Sequence, residues 1–180
     1  IGQEPEGCVA DTVLDASGML VMPGMVNCHH HMFQTLTRNV PRVQEAELFP
    51  WLVHLYEVWR NLTPEGLYWA SVLGMSELLL TGCSCTTDHF YLFPQASPEH
   101  LFDEQIRAAR QVGIRFHPTR GSMARGKSCG GLPPDACVQS EEKILEDSER
   151  VIRAFHDPDP LAMVKVALAP CSPFSVTRET

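Results

Sequence analysis

"VMPGMVNCHHHMFQ", residues 21–34, places three consecutive histidines behind an apolar run that holds a Pro-Gly pair. Residues 21–28 carry no charge and are bounded by turn-forming residues, the pattern of a short strand buried on both faces. Successive side chains of an extended segment point to opposite sides, so His29 and His31 share one side and His30 takes the other. Two imidazoles one residue apart at a strand end can grip one divalent ion, and a catalytic zinc keeps a further position open for water. The same residues also fit a solvated loop. Two ligands do not make a zinc site, and the spacing alone leaves both readings open.

Working outward, Thr63-Pro64-Glu65 supplies a helix start with proline in the first turn. Leu67, Ala70, Leu73 and Leu78 follow at helical spacing, and Gly82 closes the helix. Residues 83–93, "CSCTTDHFYLF", are rich in β-branched and aromatic side chains and read as a second strand. Ser97-Pro98-Glu99 repeats the helix start, with Phe102, Ile106 and Ala109 as the apolar stripe and Gly113 as the stop. "IRFHPTR", residues 114–120, makes a third strand. Ser140 caps another helix, with Glu141 and Glu142 in its first turn and Ile144, Ser148, Val151 and Phe155 on one face. "DPDP" at 157–160 ends that helix, and "MVKVALAP" at 163–170 is a fourth strand.

Strands alternating with helices of this length predict an α/β fold with a parallel sheet and right-handed crossovers. Two architectures satisfy the alternation: an open doubly wound sheet, or the first half of a (β/α)8 barrel, whose usual length is about 250 residues.

Composition narrows the function classes. The 180 residues are 44% hydrophobic and 20% charged, which suits one buried core. Apolar runs end well short of the ~20 residues of a membrane span, and no basic-then-apolar leader opens the sequence. The net charge of −8, with Lys and Arg scattered, argues against nucleic acid as a partner. Seven cysteines without a C-x-x-C pair read as reduced thiols, which points to the cytoplasm. The sequence begins without Met and stops just after a helix-start signal, so a longer polypeptide is expected.

"GSMARGKS", residues 121–128, matches the phosphate-loop pattern letter for letter. That motif works only if a helix begins at its Lys-Ser and offers amides to the phosphates. Here "CGGLPPDAC" follows, and its glycines and prolines oppose helix nucleation. A long mobile loop, of the kind that often covers an active site, is the better reading.

Residues 14–31, "LDASGMLVMPGMVNCHHH", resemble the opening signature of the amidohydrolase superfamily: D-x-x-G, an apolar strand with P-G, then N-x-H-x-H. Within it the chain resembles the metal-dependent aminohydrolases of purines, pterins and triazines, and most of all the group acting on 8-oxoguanine. H-x-H-x-x-Q at 29–34, "LLTGCSCTTDHFYLFP" at 79–94, "RGSMARGKSCGGLPPD" at 120–135 and "ALAPCSPFSVT" at 167–177 carry the likeness.

The resemblance implies a (β/α)8 TIM barrel with one Zn2+ per active site, Fe2+ being the alternative. Residues 21–180 would supply about the first four βα units, and residues 1–20 the end of a small β-sandwich domain. His29 and His31 become metal ligands and His30 a bystander; Gln34 meets the purine edge, and Cys171 and Ser172 lie against the substrate ring. Asp88 and His89 either line the mouth or support it from behind. Trp51, Trp59 and Trp69 read as core residues, with Trp59 the one to test as a stacking partner for substrate. His54, His100 and His156 read as solvated.

The implied reaction is hydrolytic deamination of an aminopurine, foremost 8-oxoguanine to urate and ammonia. Guanine, S-adenosylhomocysteine and a hydroxylated triazine are the alternative substrates. A non-catalytic assembly relative is the alternative of another class, disfavoured by intact His29 and His31. Cytidine-type zinc deaminases need H-x-E with P-C-x-x-C, which this chain lacks. The family's remaining groups, an H-x-x-E motif, a further His and a late Asp, have no counterpart in residues 1–180, so no catalytic residue is assigned beyond the metal ligands. The expected partner is a small purine, with no nucleic acid and no membrane; homo-oligomer formation is left open.

Overall fold

A computed structural model describes residues 6–97 and 100–180. Its sheet holds four strands, β1 (Met25–Asn27), β2 (Cys83–Phe90), β3 (Arg115–Ser122) and β4 (Ala167–Pro170), in the order β1-β2-β3-β4. All neighbouring pairs are parallel. A doubly wound sheet reverses its strand order at a switch point. An unreversed order with right-handed crossovers instead puts every connecting helix on one face and leaves the other as a barrel interior. The molecule is therefore half of a TIM-type barrel.

The outer layer is α1 (Leu48–Trp59), α2 (Pro64–Leu80), α3 (Asp103–Val112) and α4 (Glu141–Phe155). Local chemistry sets their ends. Thr63 Oγ1 accepts from the Gly66 amide at 3.1 Å, and Ser140 Oγ from the Lys143 amide at 3.3 Å, each satisfying an orphan donor of a first turn. Gly113, at φ 81°, supplies the left-handed residue that stops α3.

Alternation along the strands divides the two faces. Thr86, Asp88 and Phe90 on β2, and Phe116, Pro118 and Arg120 on β3, are buried under the helices. Cys85, Thr87 and His89, with Arg115, His117 and Thr119, take the inner face. The apolar core lies between sheet and helices and includes Phe33, Leu55, Tyr56, Phe90, Phe102, Ile106, Phe116 and Val151. Arg120, 1% exposed, is its one buried guanidinium among the described residues. It donates to Asp147 Oδ2 at 3.0 Å, Gln139 Oε1 at 2.7 Å and the Gly121 carbonyl at 2.7 Å, and its charge lies 4.0 Å over the Phe93 ring.

Several boundaries differ from the sequence reading. β1 has three residues, and Met25 and Val26 are 57% and 64% exposed, so the strand is not buried on both faces. The reason is its position: β1 is an edge strand, paired only with β2. β4 begins at Ala167, with Val164 joined to Phe116 by a single bridge. α2 buries Leu67, Ala70, Ser71, Gly74 and Met75 and leaves Leu73 out. α3 starts at Asp103, later than the Ser97 signal, of which Pro98 and Glu99 lie outside the described residues. α1 carried no capping signal, since Glu47 makes no side-chain cap bond.

The segment 123–139 after β3 contains no α-helix starting at Lys127. Lys127–Cys129 is a single 3-10 turn closed by Gly130 at φ 76°, so the phosphate-loop geometry is absent. The segment is also not a loose cover. Ser128 Oγ donates to Asp135 Oδ1 at 2.9 Å, Gln139 N to the Met123 carbonyl at 2.9 Å, and both Ala124 N and Arg125 N to the Ser175 carbonyl at 2.8 and 2.9 Å. Residues 6–24 form only turns, with Val9, Leu14 and Leu20 exposed; residues 1–5 lie outside the described part. Among the described residues no helix is long and apolar enough to cross a membrane.

Candidate functional site

β1 delivers the histidines to the carboxyl end of the sheet. Asn27 anchors its last position, Nδ2 donating to Thr86 Oγ1 at 3.0 Å. Beyond it the chain runs through His29, His30 and His31 into a 3-10 turn, Met32–Thr37. The His29 and His31 rings stand edge to face with centroids 5.0 Å apart. His30 is turned the other way, against α2, where its Nδ1 is buried without a hydrogen-bond partner. Gly74 permits that approach: a Cβ there would lie 2.6 Å from Met32 Sδ and 3.4 Å from His30 Cε1.

His31 is held by the backbone. Its Nδ1 lies 2.9 Å from the carbonyl of His89, an oxygen that only accepts, so Nδ1 carries the proton and the Nε2 lone pair is left for a ligand. Burial lowers the His31 pKa, which favours the neutral ring that metal coordination requires. His89 in turn donates its own amide to the His30 carbonyl at 2.9 Å, and its ring Nε2 reaches the Ala169 carbonyl of β4 at 3.1 Å. The His89 ring thus spans the inner face from β2 to β4 and lies 5.6 Å from the His31 ring.

Asp88, the neighbour of His89, faces the opposite side. Fully buried, it accepts from the Met32 amide and from Gln105 Nε2, both at 2.6 Å, and so ties the turn after the histidines to α3. It is a strut behind the site and does not line the mouth. Burial pushes its pKa up to about 7, against the opposing pull of the Gln105 and Met32 donors. A carboxyl with a raised native pKa binds its proton more tightly folded than unfolded, so its stabilising contribution is complete below about pH 4 and is lost as pH rises through about 7. Asp88→Asn is therefore expected to remove about 2–3 kcal/mol of the stability lost between pH 5 and pH 7. Parallel denaturant melts of parent and variant measure this, and identical pH slopes would refute it.

Gln34, in the 3-10 turn, is half-buried. Cys171 and Ser172 follow β4 and are half-buried too; the Cys171 amide donates to the Ser122 carbonyl at 3.0 Å. Burial raises the Cys171 pKa, so the group is a neutral thiol and not a nucleophile. Trp59 is a correction. It is 3% exposed, Phe33, Trp51 and Tyr56 pack edge to face around it, and its Nε1 donates to Thr37 Oγ1 at 3.0 Å. At 3% exposure the indole has almost no surface left for a substrate. His100 and His156 are exposed and His54 half-buried. Tyr91, Tyr56 and Ser175, which the sequence reading passed over, are buried beside the site.

Among the described residues no three His, Cys, Asp or Glu side chains converge to hold an ion. What this chain offers is a pair of adjacent imidazoles, one with its tautomer fixed, a donor set that suits part of a zinc shell.

The Amidohydrolase family profile matches residues 20–180. The chain belongs to that family. It is 50% identical over 179 residues to 8-oxoguanine deaminase of Pseudomonas aeruginosa, covering 99% of this chain and 39% of that protein. It is 35% identical over 170 residues to hydroxydechloroatrazine ethylaminohydrolase of Pseudomonas sp. strain ADP, covering 93% and 35%. The fold superposes on atrazine chlorohydrolase of Arthrobacter aurescens TC1, solved in complex with zinc, with a TM-score of 0.80 and 31% identity over 87% of this chain and 36% of that one. This amidohydrolase chain thus spans well under half the length of the relatives it matches.

Proposed function

We propose that this chain is the first half of an amidohydrolase that deaminates an aminopurine, foremost 8-oxoguanine, with water. The balance is a ring C–NH2 plus water giving a ring carbonyl and ammonia, hence urate from 8-oxoguanine. The observation that carries the reading is the His29 and His31 pair, with Nε2 of His31 freed by the His89 carbonyl. The 50% identity to a named 8-oxoguanine deaminase supports the choice of purine.

His29 and His31 would hold Zn2+, or Fe2+ in its place. When bound there, the ion acts as a Lewis acid that lowers the pKa of water toward neutrality. Gln34 offers both a donor and an acceptor, which matches the paired edge of a purine. Ser172 and the neutral thiol of Cys171 would meet the ring from the turn after β4. The proton stays on His31 Nδ1, donated to the His89 carbonyl, so this ring serves as a ligand and not as an acid.

Residues 1–20 are read as the end of a small β-sandwich domain and the entry to the barrel, and the free cysteines suit a reducing cytoplasm. The test uses the full-length polypeptide with zinc and measures ammonia release from 8-oxoguanine, guanine, S-adenosylhomocysteine and a hydroxylated triazine. The highest kcat/KM is expected for 8-oxoguanine. A zinc-replete protein that releases ammonia from none of the purines would sink the proposal, and preference for the triazine would redirect it within the family.

A further inference from the structure

His31 stands between β1 and the 3-10 turn Met32–Thr37, with φ −135° and ψ 82°. Three main-chain groups around it are engaged. The His30 carbonyl accepts from His89 N at 2.9 Å, the His31 carbonyl from Gln34 N at 2.9 Å, and the Met32 amide donates to Asp88 Oδ1 at 2.6 Å. The ring adds its own bond, from Nδ1 to the His89 carbonyl at 2.9 Å. All but one of these partners belong to the main chain, which no substitution deletes. Asp88 is the exception: among the described residues it is the side chain that fixes the peptide following His31.

That carboxyl is itself held from the helix layer. Its second oxygen, Oδ2, accepts from Gln105 Nε2 of α3 at 2.6 Å, and both side chains are fully buried. α3 is a firm base: the Arg107 guanidinium lies 3.4 Å over the Tyr68 ring of α2, and Asp103 takes Arg150 of α4 at 2.8 Å. An ionised carboxyl has only acceptors to offer, so Gln105 turns its NH2 toward it and leaves Oε1 in the core without a hydrogen-bond partner. A buried acceptor without a partner lowers stability. Apolar side chains of similar size at 88 and 105 would avoid the buried acid and the orphan oxygen alike. What the polar pair supplies in exchange is a fixed point behind the ligand.

We propose that Asp88 and Gln105 are positioning residues for zinc binding: α3 holds Asp88, Asp88 holds the peptide after His31, and that peptide fixes where the Nε2 lone pair of His31 is aimed. The inference rests on the deaminase reading above for its metal. It adds that the direction of a ligand on the inner face is set from the helix side of the sheet, by two side chains that touch neither the ion nor the substrate.

The experiment measures the zinc dissociation constant of the full-length protein by competition with a chromophoric chelator, at a temperature where each variant is folded by circular dichroism. Asp88→Ala removes the anchor and is expected to weaken zinc binding about 10- to 100-fold, the usual loss when a group that orients a ligand is deleted. Asp88→Asn keeps an oxygen for the Met32 amide and offers its NH2 to Gln105 Oε1 once that amide turns over, so its zinc affinity is expected to stay within about threefold of the parent. Zinc held equally by Asp88→Ala and the parent, with only the melting temperature lowered, would make the pair plain core and overturn the proposal. So would an Asp88→Asn protein that loses zinc as badly as Asp88→Ala, because charge and not the bond to Met32 would then be at work. If Asp88→Ala does not fold, Gln105→Leu frees the carboxyl at one end and is expected to weaken zinc binding about three- to tenfold, the worth of one hydrogen bond. Unchanged affinity in that variant overturns the proposal. A parent protein that holds zinc but deaminates no purine defeats the proposed function and leaves this test intact, whereas a parent that holds no zinc defeats both.

Discussion

His31→Ala is expected to strip the protein of stoichiometric zinc and lower kcat/KM by more than about 100-fold. Loss of a group that merely supports a ligand costs about 10- to 100-fold in metal affinity or activity, so loss of the ligand itself sets a higher floor. His30→Ala is the matched control. That ring points at α2 with its Nδ1 buried and unpartnered, so its removal leaves the pair of adjacent imidazoles intact. Metal analysis of the two purified variants separates the cases. Equal loss of zinc from both would mean that the histidine triplet matters for folding and not for coordination.

Asp147→Ala is expected to cost about 3–5 kcal/mol, the penalty for leaving a buried charge without its partner. Arg120 is 1% exposed, and Asp147 is the carboxylate that the described residues give it, at 3.0 Å. Arg150 also contacts Asp147, at 2.8 Å, yet it keeps Asp103 at 2.8 Å and so survives the change. The damage therefore concentrates on the guanidinium beneath α4, next to Gly121. A shift in the denaturant midpoint worth less than about 1 kcal/mol would show that Gln139, the Gly121 carbonyl and the Phe93 ring suffice to hold the charge.

Helix ends were the most legible part of this molecule, because capping is local chemistry: Thr63, Ser140 and Gly113 act within a few residues of where they stand. α1 was not, since Glu47 caps nothing and Pro50 sits in its first turn without a preceding Ser, Thr or Asp. Alternation gave the parallel sheet but not its closure, which depends on the strand order that only pairing reveals. At the site, the period of two separated His30 from its neighbours. The letters could not show that the His31 ring is oriented by the main chain of His89, because a carbonyl belongs to every residue alike. Trp59 read first as core and second as a stacking partner for substrate, and the contacts with Phe33 and Trp51 leave it in the core. Tyr91, Tyr56 and Ser175 come from three distant segments, and no spacing rule links them.

The amides of Ala124 and Arg125 share the Ser175 carbonyl, and Leu132 N donates to the Phe174 carbonyl at 3.0 Å, so the two rims that follow β3 and β4 are stitched together by their main chains. Swinging one aside would sacrifice several such bonds at once, at about 1 kcal/mol apiece. This flank is a fixed jamb. Whatever passes the sheet's carboxyl end on this side meets an edge held by main-chain bonds.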